Sequence, residues 1–134
     1  MQIAWDDSMQ TGVPKVDEQH QELIKAINAL ADAMRNGQGK DEIGKILTFA
    51  GQYAQEHFRF EEGCFEEYHC PAAMKNKQEH AQFIETFTRR MTEFDEKGAN
   101  FQFVMKIYRE LSDWLLQHIL KVDLQLRAYA LKKT

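Results

Sequence analysis

Proline and glycine are scarce in this chain of 134 residues, at two and seven. They fall between segments of helical period, and no strand-like alternation bounded by turns occurs, so the class is all-α. Cysteine is scarcer than a disulfide framework needs: Cys64 and Cys70 lack a CxxC or Cys/His zinc spacing and read as plain reduced thiols, with a redox role as the minority reading. Nowhere do about 18 apolar residues occur in succession, and MQIAWDDSMQ at the N-terminus has no basic region leading into an apolar run, so no membrane span or secretory leader is expected and the protein reads as cytoplasmic. Nor is there an excess of positive charge. A net charge of −4 offers no basic surface, which argues against nucleic acid or an anionic membrane as partner.

What is present suffices for one packed domain. At 43% hydrophobic and 28% charged, the chain supports a real core but is too short for two, so 1–134 reads as a single domain. Residues 1–16 read as an irregular arm. Asp17 has the residue type of an N-cap for a first helix to about Arg35. A second helix runs from about Lys40 to Phe65. Pro71 suits a first helical position, so the third runs from there to about Lys97, closed by Gly98, and Asn100 caps a fourth. A short helical tail, LQLRAYALKK, lies within 121–134. Long helices with short connections predict an up-down-up-down four-helix bundle over about 17–120.

The core-facing stripes are not wholly apolar. His20 lies near the start of the first helix, and His57 and Glu61 near the end of the second. Asn76 and His80 fall near the start of the third, and His118 near the end of the fourth. In an up-down bundle these six levels coincide at one end, within about two to three turns of it at 1.5 Å rise per residue. A single such histidine is usually a satisfied core residue. Several imidazoles and a carboxylate buried together without partners cost on the order of a few kcal/mol each, and the surrounding stripes supply too few hydrogen bonds. Metal satisfies them all. Four imidazoles and a carboxylate exceed the ligand count of one zinc site, so two ions sharing carboxylates fit better. His57 and Glu61, at i and i+4, share a face as a chelating pair must, whereas Glu62 points elsewhere on the helix. Asp123 is the available second carboxylate. It lies about 140° round the helix from His118, so joint ligation requires the fourth helix to distort or end between them; on spacing alone it reads equally as a surface acid.

The order DEQH (17–20), HFRFEE (57–62), KQEHAQF (77–83) and HILKVD (118–123), with Trp5 and Gly12–Val13 in the arm, resembles the bacterial hemerythrins, non-haem di-iron oxygen-binding proteins. The resemblance spans nearly the whole chain. It implies two iron ions with an oxo or hydroxo bridge: one on His20 and His57 with an open position for dioxygen, the other on His80 and His118, with Glu61 and Asp123 bridging. The family's third histidine on the second iron falls at Asn76 here, which implies a weak or water-mediated ligand. His69 is not expected to substitute, lying before Pro71 and about two turns from Asn76. The resemblance also implies an apolar oxygen pocket, for which Leu23, Phe58, Trp114 and Leu115 are the candidates; each reads equally as ordinary core.

The expected function is therefore oxygen binding for sensing or carriage, with dioxygen as partner and no catalysis. A signalling output domain is the further partner if the chain is a sensing domain cut from a longer protein. A di-iron peroxidase or oxidase on the same scaffold is the alternative. Ferritin-like di-iron enzymes are disfavoured, because they need two Glu-x-x-His repeats and only Glu66 to His69 matches.

Overall fold

Connections as short as 36–39, 68–72 and 98–100 force each long helix to turn back beside its predecessor. In the computed structural model, which describes residues 2–132, α1 (Pro14–Arg35), α2 (Lys40–Glu67), α3 (Ala73–Lys97) and α4 (Phe101–Lys121) form an up-down-up-down bundle, and a short α5 (Leu126–Lys132) follows. The single-domain reading over 1–134 and the tail to 134 extend to residues 1, 133 and 134, outside the described residues. α1 packs on α2 and α4, and α3 on the same two. Among the described residues no helix is long and apolar enough to cross a membrane.

The helix starts differ from expectation in two places. α1 begins at Pro14, so the arm ends at Val13 and Asp17 is not the N-cap. Proline is pre-set for the first helical position and gives up an N–H that has no partner there. Asp17 sits instead in the first turn, where its Oδ1 accepts from Thr11 N at 2.8 Å and Thr11 Oγ1 at 2.9 Å, tying the arm to the helix. α3 begins at Ala73, because Ala73 N donates to Cys70 O at 3.0 Å and leaves Pro71 and Ala72 in the turn. α2 runs two residues past the expected Phe65, to Glu67. Asn100 caps α4 as read, through Phe103 N at 3.0 Å. Gly98 closes α3 at φ 70°, a conformation that costs other residues a steric penalty.

Two apolar clusters fill the bundle. The larger runs from Leu23, Ile24 and Ala54 through Leu111, Leu115 and Ile119 to the far end. The smaller, Val13, Val16, Cys64, Phe65, Cys70, Ala72, Val122, Leu126 and Ala130, closes the opposite end, with α5 as its lid. Both cysteines lie in this second cluster as free thiols, and burial pushes the Cys64 thiol up to about 11, which keeps it protonated and unreactive. The polar residues of the stripes lie between the two clusters.

Candidate metal centre

His20 comes from α1, His57 and Glu61 from α2, Asn76 and His80 from α3, His118 from α4, and Asp123 from the 3-10 turn Asp123–Gln125. All seven are buried to 2% exposure or less. α4 ends at Lys121, and the tighter turn after Val122 swings Asp123 inward, which removes the angular mismatch with His118 that a continuous helix would impose.

The two carboxylates divide their oxygens. Glu61 Oε2 lies 3.1 Å from His20 Nε2 and 3.0 Å from His57 Nε2, while its Oε1 lies 3.0 Å from His80 Nε2 and 3.6 Å from His118 Nε2. Asp123 Oδ2 lies 3.0 Å from His20 Nε2, and its Oδ1 3.0 Å from His118 Nε2. Two sets result, His20/His57/Glu61/Asp123 and Glu61/His80/His118/Asp123, with all donor atoms of a set within 4.8 Å of one another. His80 Nε2 and His118 Nε2 are 3.0 Å apart, a separation that two ring nitrogens tolerate only with a proton or a cation between them. A six-coordinate ion with bonds of about 2.1 Å places neighbouring ligand atoms about 3 Å apart, the spacing seen here.

Asn76 completes one corner of the second set. Its Nδ2 donates to Glu61 Oε1 at 2.9 Å and Asp123 Oδ1 at 3.1 Å, and lies 3.3 and 3.4 Å from His118 and His80 Nε2. Asn76 Oδ1 and His20 Nδ1 are buried without a hydrogen-bond partner. Such orphans cost stability unless another group satisfies them. The donor set, in number and chemistry, fits a pair of metal ions.

Three of the four outer histidine nitrogens are held as metal ligands require. Gln19 Oε1 accepts from His57 Nδ1 at 2.7 Å, Glu62 Oε2 from His80 Nδ1 at 2.9 Å, and Glu79 Oε1 from His118 Nδ1 at 2.7 Å. Glu62 therefore does not point away from the centre, as its helical angle suggested: it reaches across to α3. Gln19 and Glu79 were not singled out from the sequence. A signal was available, since each of the three is the immediate neighbour of a ligand candidate and clamps the histidine of the next helix.

Burial lowers the affinity of His20 and His118 for a proton, but hydrogen bonds to Asp123 and Glu61 outweigh it and raise them to about 9 and about 10. Burial dominates at His57 and holds it below the usual range despite Glu61. Burial likewise favours a neutral Glu61. The His57 ring beside it and hydrogen bonds from His118, His20 and His57 prevail and hold it well below the carboxylate range.

Aromatic rings roof the centre. Phe58 stacks on His80 with ring centroids 3.9 Å apart, Trp114 on His118 at 4.5 Å, and Trp5 of the arm lies 6.5 Å from His20. An apolar cavity of about 20 Å³ is lined by Leu23, Phe58, Trp114 and Leu115, and also by the core residues Ile27, Ala54, Phe83 and Leu111. That volume admits one small molecule, and the lining gives water nothing to bond to. His69 is exposed in the turn after α2 at φ 53°, outside both donor sets.

Residues 11–130 match the hemerythrin HHE cation binding domain. A bacteriohemerythrin of Pseudomonas paraeruginosa is 32% identical over 127 residues, covering 90% of this chain and 76% of that protein. One from Stenotrophomonas maltophilia is 30% identical over 129 residues, covering 96% and 79%. A crystal structure of wild-type hemerythrin superposes with a TM-score of 0.83 at 27% identity, covering 96% of this chain and 97% of that one. With its bundle, its paired donor sets and these likenesses in agreement over the same residues, the chain belongs to the hemerythrin family.

Proposed function

We propose that the chain is a non-haem di-iron protein that binds dioxygen reversibly and serves oxygen or redox sensing more than carriage. One observation carries the reading: two buried donor sets share Glu61 and Asp123, each carboxylate turning one oxygen to either set. His20 and His57 would hold one iron and His80 and His118 the other, with Asn76 beside the second as a weak or water-mediated ligand. When bound, the iron pair supplies the electrons on which dioxygen binding runs. The protein's part is to keep the histidine Nε2 lone pairs aimed inward, through Gln19, Glu62 and Glu79 at the outer nitrogens, and to offset the ionic charge with two carboxylates. Leu23, Phe58, Trp114 and Leu115 keep the adjoining cavity dry, so a small apolar molecule competes there with no bound water.

Isolated protein should carry about two irons per chain and show oxo-bridge absorption in the near ultraviolet, and Glu61→Ala, which removes oxygens from both sets, should lose both. Zinc alone, or iron well below one per chain after reconstitution, overturns the reading. A di-iron peroxidase or oxidase is the second reading, favoured by Asn76: a neutral amide binds less firmly than imidazole and leaves an exchangeable corner. Peroxide-dependent oxidation of a dye by the parent but not by Asn76→His would select it.

A further inference from the structure

The four candidate histidines differ in what holds them from outside. His80 and His118, the pair of the second set, each donate Nδ1–H to a carboxylate, Glu62 at 2.9 Å and Glu79 at 2.7 Å. In the first set His57 donates to the neutral amide of Gln19 at 2.7 Å, and His20 Nδ1 is buried with no partner. The helpers follow a rule of position. On α1 and α3, which run the same way, the helper precedes a ligand candidate (Gln19 before His20, Glu79 before His80). On α2, which runs the other way, it follows one (Glu62 after Glu61). The corresponding position on α4 is Ile119, apolar and fully buried, so the series that passes from α1 to α2 to α3 to α4 does not return to α1.

We infer that this broken series makes the two metal subsites unequal, the His80/His118 subsite being the tight one and the His20/His57 subsite the weak one. A carboxylate hydrogen-bonded to the outer N–H raises the basicity of the inner nitrogen and fixes the ring; such partners are each worth about 10- to 100-fold in metal affinity. The second subsite has two of them, and two negative charges that the first lacks. Lys75 Nζ, 3.8 Å from Glu79 Oε2, is largely exposed, and solvent screens its opposing charge. The inference rests on the di-metal reading above.

Metal-free protein titrated with ferrous iron under argon, followed by calorimetry, tests it. Two binding steps at least tenfold apart are expected. Glu79→Gln and Glu62→Gln should each weaken the first step by about 10- to 100-fold; both keep an acceptor oxygen, so the loss reads the charge and not the packing. Gln19→Leu should act on the second step, and Gln19→Glu, which gives His57 the carboxylate it lacks, should tighten that step about tenfold or more and draw the two steps together. Equal steps in the parent, a first step untouched by Glu79→Gln, or a first step weakened by Gln19→Leu overturn the inequality. A parent that takes up less than one equivalent overturns the di-metal reading instead.

Discussion

Asn76 is the residue whose chemistry departs most from its surroundings. Its amide stands among two carboxylate oxygens and two imidazole nitrogens, every one an acceptor or a metal ligand. An imidazole in its place would give a metal ion at the His80/His118 set a firmer corner. The spectral change that air produces in the reduced protein should therefore persist longer in Asn76→His than in the parent; equal decay of the two spectra removes the argument for an exchangeable corner. The histidines carry a second prediction. His20 and His118, raised to about 9 and about 10, hold protons at neutral pH in metal-free protein, and an Nε2 ligand must give its proton up. Metal loading at pH 7 should release about two protons per chain, and affinity should rise with pH until those values are passed. Calorimetry in buffers of differing ionisation enthalpy measures the number. The stability that these raised values confer on the metal-free protein runs the opposite way, present below about 6.5 and lost as pH climbs through about 9 and 10.

At the scale of helices, two glycines of α2 separate packing from propensity. A Cβ at Gly51 would lie 2.5 Å from Phe87 Cε1, so α2 and α3 approach as they do only because that position has no side chain. At Gly63, exposed and in the same helix, nothing lies within 4 Å. Alanine gains roughly 0.5–1 kcal/mol over glycine in a helix, whereas overpacking costs about 1–3 kcal/mol. Gly63→Ala should therefore raise the unfolding free energy by roughly 0.5–1 kcal/mol, and Gly51→Ala should lower it by about 1 kcal/mol as Phe87 is displaced. Denaturant unfolding of the two variants against the parent decides; a stabilised Gly51→Ala would mean that Phe87 yields freely. A continuous helix would carry Asp123 away from His118, and the change to 3-10 geometry brings it back.

For the molecule as a whole, the centre is a polar layer between two apolar clusters, the smaller closed by α5. Those clusters do not depend on metal for their burial. Chelation should leave far-ultraviolet helicity nearly intact while lowering the melting temperature by on the order of 10 °C, because each ion bound at 100 times its dissociation constant stabilises the fold by about 2.7 kcal/mol. A helical signal that collapses on chelation would show that the metal organises the bundle. The sequence by itself determined the class, the four helices and six of the seven inward polar residues, because a buried stripe repeats at 3.6 residues and short loops leave only antiparallel neighbours. Tertiary structure decided the rest. Periodicity assigns a side chain to one face of its own helix but says nothing of how far a long side chain reaches towards the next, so Glu62 was placed outside and Gln19 and Glu79 were passed over. Asp123 stayed undecided for a different reason: its direction depends on where α4 stops, and Val122 and Leu126 there join one apolar cluster with Val16 and Phe65, residues far apart in sequence that no local pattern brings together.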